Sequence, residues 1–190
     1  MHRALLPVAL LTLVAPAAHS QVPAGKLSAA QLWFDAKASL GAFRGITKVA
    51  RGEMSGGATL SAVHGFVEAD AITLSTDNGL RDKDMRKTLE VEKFKTIRFD
   101  LDSVTVHSES GDSARIDLVG RMTIHGVTRA LRIPAELHRK GTELRVTGGC
   151  DLFLPAYGVT KLKRMLGMLS MDETIKMGID VTFGTEPGGK

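Results

Sequence analysis

The chain has 190 residues, of which 43% are hydrophobic, 24% are charged and 5% are aromatic. Its formal net charge of +4 is a weak basic excess that is spread along the chain and does not cluster with aromatic residues. This pattern argues against a nucleic-acid-binding surface. A single cysteine, Cys150, excludes an internal disulfide, and its alternating apolar neighbours predict a buried, unreactive thiol.

The first twenty residues have the pattern of a secretory signal peptide. An apolar run from Ala4 to Ala15 follows a basic residue, and small residues precede a cleavage site before Gln21. The run is shorter than the ~20 residues that a membrane span requires. We therefore expect export to the periplasm and no stable membrane anchor.

From Gln21 onward the chain has the size of one domain, and residues 184–190 have the composition of a flexible tail. Apolar and polar residues alternate over most of this length, as in half-buried strands. The alternating segments are Leu32–Leu40, Ile46–Met54, Val63–Leu74, Phe94 onward with a bulge at Asp102–Ser103, Ala114–Ile124, Leu131–Leu137, Leu144–Leu154 and Ile175–Phe183. Turns are predicted at Gly41–Gly45, His125–Gly126 and Lys140–Gly141. About eight strands predict an antiparallel barrel or sandwich, and closure of the sheet favours the barrel.

The alternation is interrupted between Thr76 and Phe99. Asp77 or Asn78 can cap a short helix over residues 79–89, and Asp82 is placed to pair with Arg86. A second amphipathic helix is predicted over residues 161–171. The expected fold is therefore all-β, with one or two short helices in connecting loops.

The inner face of the strand from Val63 to Leu74 consists of small residues, which would leave room inside a barrel. Seven methionines follow the signal peptide, and their flexible thioethers suit an irregular apolar guest as well as an ordinary core. Arg81 shares a helical face with Met85 and Leu89. It could bind a polar head group at the mouth of a cavity, or it could pair with Asp77 or another local carboxylate.

The sequence offers no positive sign of catalysis or of metal binding. The histidines at positions 64, 107, 125 and 138 stand singly, without the spacing of metal ligands. The chain also lacks Gly-x-Ser-x-Gly and a phosphate-binding glycine loop. We predict that it is not an enzyme and that it holds no metal and no covalent cofactor.

Three segments resemble the YceI-like family of exported, lipocalin-like proteins. The first combines Arg81-Asp82 with Phe94-Lys-Thr-Ile-Arg-Phe99, the second is Gly120–Arg129 with Thr-Ile-His-Gly-Val-Thr at its centre, and the third runs from Leu169 to Phe183. Two positions depart from the family pattern. Asp84 stands where many members have histidine, and Ala156–Val159 replaces an Arg-Ser-Asp-Phe-Gly-like segment.

The resemblance implies an eight-stranded antiparallel barrel around an elongated apolar tunnel, without established catalytic chemistry. It also implies a periplasmic binding or carrier function, with a polyprenyl lipid or isoprenoid quinone as the bound apolar partner. The residues predicted to contact this guest are Phe34, Phe43, Phe66, Arg81, Met85, Leu89, Phe99, Met122, Leu152, Met165, Leu169 and Met177. The alternative is an interaction module with a filled barrel core, acting in envelope stress or electron transfer. The sequence leaves a homodimer open.

Overall fold

A computed structural model describes residues 21–160, 163–164 and 169–185. Its strands are β1 (Gly25–Ala38), β2 (Gly41–Thr47), β3 (Ala50–Met54), β4 (Gly65–Asp70), β5 (Thr96–Ser110), β6 (Ser113–Ile124), β7 (Val127–Lys140), β8 (Glu143–Phe153), β9 (Lys163–Arg164), β10 (Leu169–Ser170) and β11 (Thr174–Thr185). Helix α1 spans Gly79–Thr88, and 3-10 turns occupy Leu60–Ala62, Ala71–Thr73 and Leu154–Tyr157. The predicted signal peptide lies outside the described residues. None of the helices in the described ranges is long and apolar enough to cross a membrane.

The strands close into an eight-stranded antiparallel barrel, which confirms the predicted fold. Neighbours pair in the order β1, β2 with β3, β4, β5, β6, β7, β8 and β11, and β11 returns to β1. We count β2 and β3 as one position because they keep one register against β1: Leu32 lies opposite Thr47, and Gly25 lies opposite Met54. This closure pairs the edges that an open sheet would expose.

Two local predictions in the barrel wall are confirmed. The β5–β6 register shifts between Leu101 and Ser103, where the change in alternation predicts a bulge. His125 and Gly126 form the predicted tight reversal between β6 and β7, with positive φ angles of 52° and 73°. Glycine adopts this conformation without a steric penalty, whereas histidine does so only with some strain.

Two other local predictions are wrong. Residues 41–45 lie in β2 instead of a turn. Gly45 is there because a Cβ at this position would lie 2.2 Å from the ring of Phe34, so the glycine permits close packing and not a chain reversal. In the predicted second helix, residues 163–164 pair with residues 169–170 as short strands. That segment contains Gly167, a poor helix former, and residues 161–162 and 165–168 lie outside the described part.

The two ends of the barrel differ. Val22, Leu60 and Val63 are buried at the end where β1 begins. The opposite end carries the β1–β2 turn and α1, which follows β4 through the 3-10 turn at Ala71–Thr73. Within the wall, Ile133 in β7 is only 1% exposed, so its side chain is almost completely packed.

Candidate functional site

The barrel encloses a cavity of about 600 Å³. This volume lies within the ~300–1,000 Å³ typical of small-molecule sites. Its walls are mainly aliphatic and aromatic side chains, and every strand of the barrel, β1 to β8 and β11, contributes to them. The filled core required by the alternative interaction module is therefore not what the described strands form.

The space exists largely because β4 and its flanks carry small side chains. The lining includes the small residues that the sequence places on one face, namely Val63, Gly65, Val67, Ala69 and Ala71. The prediction that this strand leaves room inside the barrel is confirmed.

Most of the predicted guest-contacting residues surround this cavity. Those in its lining are Phe34, Phe43, Phe66, Arg81, Met85, Leu89, Phe99, Met122, Leu152 and Met177. Met165 lies outside the described residues, and Leu169 is described only as part of β10. Lining a cavity is not the same as binding a ligand, so the binding role of these residues stays a prediction.

The cavity opens between the β1–β2 turn and the start of α1. The lining residues that are also exposed there are Ser39, Leu40, Gly41, Ala42, Asn78 and Leu80, and we call this group the mouth. Leu80 was not among the predicted site residues, and Leu40 was assigned to a strand face without a role in the site. The sequence marks the helix start, but it predicts neither the turn at Ser39–Leu40 nor the meeting of these two segments across the opening.

Helix α1 begins where the cap pattern predicts. The side-chain Oδ1 of Asn78 accepts a hydrogen bond of 3.1 Å from the backbone N–H of Arg81. This cap fixes the first turn of the helix beside the mouth. Met85 and Leu89 follow on the face that lines the cavity.

The guanidinium of Arg81 is held at the mouth by Thr76 and not by an ion pair with Asp77. Its Nε donates to Thr76 Oγ1 at 2.8 Å, and its Nη2 donates to the carbonyl oxygen of Thr76 at 2.9 Å. Its central carbon lies 4.3 Å from the centroid of the Phe43 ring. The side chain is thereby oriented at the mouth, and no ion pair with Asp77 forms.

Asp82 fixes the segment before α1, but not through the predicted pairing with Arg86. Its Oδ1 accepts from the Thr76 N–H at 2.8 Å and from Thr76 Oγ1 at 2.6 Å, and its Oδ2 accepts from Ser75 Oγ at 3.0 Å. Burial opposes the charged form, but these hydrogen bonds and the more distant charge of Arg86 outweigh it and lower the pKa of Asp82. Thr76 therefore links Asp82 to Arg81 at the mouth.

We expect Asp82→Asn to destabilise the fold by about 1–3 kcal/mol at pH 7, because an amide cannot accept all three hydrogen bonds. The folded pKa of Asp82 is lower than the unfolded value, so the carboxylate stabilises the fold above about pH 4 and loses this effect as pH falls through the folded pKa. The difference in the free energy of unfolding between wild type and Asp82→Asn should therefore be smaller at acidic pH. Urea unfolding at pH 7 and pH 3 measures this difference.

Asp112→Asn, in the exposed β5–β6 turn, is the control for the Asp82 experiment. It should change stability by less than ~0.5 kcal/mol at either pH. Equal stability of Asp82→Asn and wild type at pH 7 would contradict the assigned role of the carboxylate.

A second polar cluster lies on β5, β6 and β7. Asp117 Oδ2 accepts from His107 Nε2 and from an Arg132 guanidinium nitrogen, each at 2.9 Å. These two hydrogen bonds, that from His107 first, lower the pKa of Asp117. Within the described ranges, no three His, Cys, Asp or Glu side chains are grouped closely enough to hold a metal ion. The cluster joins three strands of the wall.

Cys150 is less buried than the sequence predicts. Its side chain is half-buried in β8 and packs against the core. Burial, with a smaller contribution from the charge of Asp151, raises the pKa of this thiol to about 11. At neutral pH the group is therefore almost entirely the unreactive thiol, as predicted.

Comparisons with solved structures agree on this architecture. A polyisoprenoid binding domain from Saccharophagus degradans, implicated in plant cell wall breakdown, superposes with a TM-score of 0.69 at 16% identity, covering 87% of this chain and 99% of that one. BcnA from Burkholderia cenocepacia gives a TM-score of 0.67 at 11% identity, covering 80% of this chain and 95% of that one. The YCEI protein of Campylobacter jejuni gives 0.53 at 13% identity, with coverage of 65% and 73%. At these identities the likeness concerns the fold.

Family membership rests on the sequence. No curated protein matches the chain significantly. The family profile described as YceI-like domain, in contrast, matches residues 16–183, which include every strand of the barrel except the last two residues of β11. The cavity, the capped helix at its mouth and the matched profile together identify the chain as a member of the YceI-like family.

Proposed function

We propose that this protein is a periplasmic binding or carrier protein for a long-chain isoprenoid lipid or isoprenoid quinone. The observation that carries the proposal is the apolar cavity of about 600 Å³ that opens beside α1. The similarity to a polyisoprenoid binding domain from Saccharophagus degradans supports an isoprenoid as the guest.

Binding would be driven mainly by burial of the lipid tail. At ~25 cal/mol per Å², transfer of about 400 Å² of tail surface from water would contribute on the order of 10 kcal/mol before ordering costs. Met85 and Met177 can adapt to the bends of an unsaturated chain because thioether side chains are unbranched and flexible. Selectivity for the tail would then depend on its length and shape.

The polar end of the lipid would remain at the mouth, close to Arg81. The two hydrogen bonds to Thr76 hold the guanidinium beside the opening and leave one terminal nitrogen, Nη1, available to an acceptor on the guest. A phosphate group would suit this donor well because charge-assisted hydrogen bonds are stronger than neutral ones. A hydroxyl or quinone oxygen would bind this donor less strongly because it carries no charge.

We expect Arg81→Ala to weaken binding of a polyprenyl phosphate by about tenfold, since it removes a charge-assisted contact worth ~1.5 kcal/mol or more. Binding of the uncharged polyprenol should change by less than twofold. Equilibrium titration of both lipids in detergent measures the difference. Lys87→Ala, an exposed cation of α1 outside the cavity lining, is the control. If Arg81→Ala weakened the binding of both lipids equally, Arg81 would have no role in binding the head group.

The periplasmic location is supported by the signal-peptide pattern of residues 1–20. It is tested by N-terminal sequencing of the protein recovered from a periplasmic extract. A mature chain that begins at Gln21 is expected, and an uncleaved chain in the cytoplasmic fraction would contradict export.

The binding function itself is tested by uptake of polyprenol, polyprenyl phosphate and a long-chain isoprenoid quinone from detergent micelles by delipidated protein. We expect saturable uptake of at least one of these lipids with a stoichiometry near one. The absence of uptake of all three, by protein with an intact barrel spectrum, would overturn the proposal.

A further inference from the structure

The two most exposed large apolar side chains among the described residues both lie at the mouth. Leu40 is 84% exposed in the β1–β2 turn, and Leu80 is 77% exposed in the first turn of α1. The other exposed large apolar residues are Val49, Ile72, Val106 and Phe153, which are 38–58% exposed and do not line the cavity. Single exposed apolar residues need no explanation, but two on separate elements beside one apolar opening form a shared rim.

Positive charge surrounds this rim. Lys83, Arg86 and Lys87 are exposed on α1, and Lys37 is exposed in β1, two residues before the β1–β2 turn. These cations and Arg81 outnumber the carboxylates of the same segments, which are Asp77, Asp82 and Asp84. Asp82 accepts hydrogen bonds from Thr76 and Ser75, and Asp35 in β1 forms a bidentate ion pair with Arg44.

We infer that the mouth docks onto the surface of an anionic lipid membrane. Leu40 and Leu80 would insert at the boundary between head groups and acyl chains, and the surrounding lysines would contact anionic head groups. The rim combines exposed aliphatic side chains with surrounding cations, a combination that suits the surface of an anionic bilayer.

Docking in this orientation would give a lipid tail a continuous apolar path. The rim leucines lie next to Phe43, Met85 and the rest of the cavity lining, so a tail could leave the bilayer without crossing water. The value of the docking for lipid transfer rests on the proposed carrier function. Membrane binding by the rim, in contrast, does not require a bound guest.

The test is flotation of the delipidated protein with vesicles of phosphatidylcholine alone and of phosphatidylcholine mixed with phosphatidylglycerol. Wild type should bind the mixed vesicles, and more weakly as salt increases. Leu40→Ser combined with Leu80→Ser should reduce this binding by at least about tenfold. Lys83→Gln combined with Lys87→Gln should reduce binding to mixed vesicles by roughly tenfold and leave binding to neutral vesicles unchanged.

Val49→Ser combined with Val106→Ser is the matched control, because both residues are exposed aliphatics away from the mouth. This variant should bind mixed vesicles as wild type does. If the Leu40→Ser and Leu80→Ser variant and the control variant lost vesicle binding equally, the rim would not be the membrane-binding surface. The absence of wild-type binding to either vesicle would overturn membrane docking and leave a protein partner to be sought.

Uptake of polyprenol from detergent separates this inference from the carrier proposal. The Lys83→Gln and Lys87→Gln double variant should still take up the lipid, since neither residue lines the cavity. A wild type that floats with mixed vesicles but takes up no lipid would support docking and contradict the carrier function. A wild type that takes up lipid but does not float with mixed vesicles would support the carrier function and contradict membrane docking.

Discussion

Replacing Val67 by tryptophan should nearly abolish lipid binding while the barrel still folds. Val67 lies in the middle of β4, opposite Gly52 on one side and Phe99 on the other, and its half-buried side chain lines the cavity. An indole there would fill part of the cavity that the lipid tail would otherwise occupy. If about 150 Å² of tail surface loses its contact, binding weakens by ~4 kcal/mol, or several hundredfold.

The cost to folding should be small compared with the loss of binding. Overpacking a filled core costs typically ~1–3 kcal/mol, but this side chain would extend into a cavity. Val49→Trp is the matched control because Val49 is 58% exposed and does not line the cavity. Titration with polyprenol, together with thermal unfolding of both variants, separates blocked binding from lost structure. Unchanged affinity in a folded Val67→Trp variant would show that the guest does not occupy this region.

Truncation of Ile133, whose side chain is almost completely packed, should have the largest effect on stability. Ile133 in β7 is 1% exposed and lies opposite Leu118 in β6. We expect Ile133→Ala to cost about 3 kcal/mol, since the lost methyl and methylene groups leave a void among side chains that cannot all move inward. Ile133→Val should cost only ~1 kcal/mol.

Met177→Ala provides the comparison at a less completely packed position. Both residues border the cavity, but Met177 is half-buried whereas Ile133 is 1% exposed, so more of the Met177 surface has no packing partner in the delipidated protein. Its truncation should therefore cost clearly less than that of Ile133. Urea unfolding of the delipidated variants, with the slope checked for constancy, measures both costs. Equal costs would mean that the two side chains are packed alike.

The fold was predictable because its determinants are local and repetitive. A period of two places apolar residues on one face of each strand, and a single slip at Asp102–Ser103 marks a bulge that the β5–β6 register contains. The cap at Asn78 was predictable for the same reason, since the side chain and the N–H that it accepts from are three residues apart.

The predictions that proved wrong concern residues whose contacts are made with segments that local sequence spacing does not reveal. Gly45 has the appearance of a turn residue, but its position is dictated by the ring of Phe34 on the neighbouring strand. Asp82 has a plausible helical partner in Arg86, yet the extended segment before the helix brings Thr76 and Ser75 closer. Neither contact has a signature in local spacing.

The candidate site was predictable in part. The small residues of β4 indicated a space inside the barrel, and the apolar face of α1 indicated side chains that would border this space. Most of the residues predicted to contact the guest therefore line the cavity. The mouth was not predictable in the same way. Leu40 and Leu80 are separated by forty residues and meet at one opening only because the barrel closes and places the β1–β2 turn beside α1.

Native mass spectrometry of the protein purified from its own envelope extract, followed by extraction and identification of any bound lipid, tests the central claim most directly. Our account predicts a complex of one protein with one isoprenoid lipid, and loss of that complex in Val67→Trp but not in Val49→Trp. A protein that is repeatedly recovered without an apolar guest, and that remains empty after incubation with polyprenyl lipids, would contradict it.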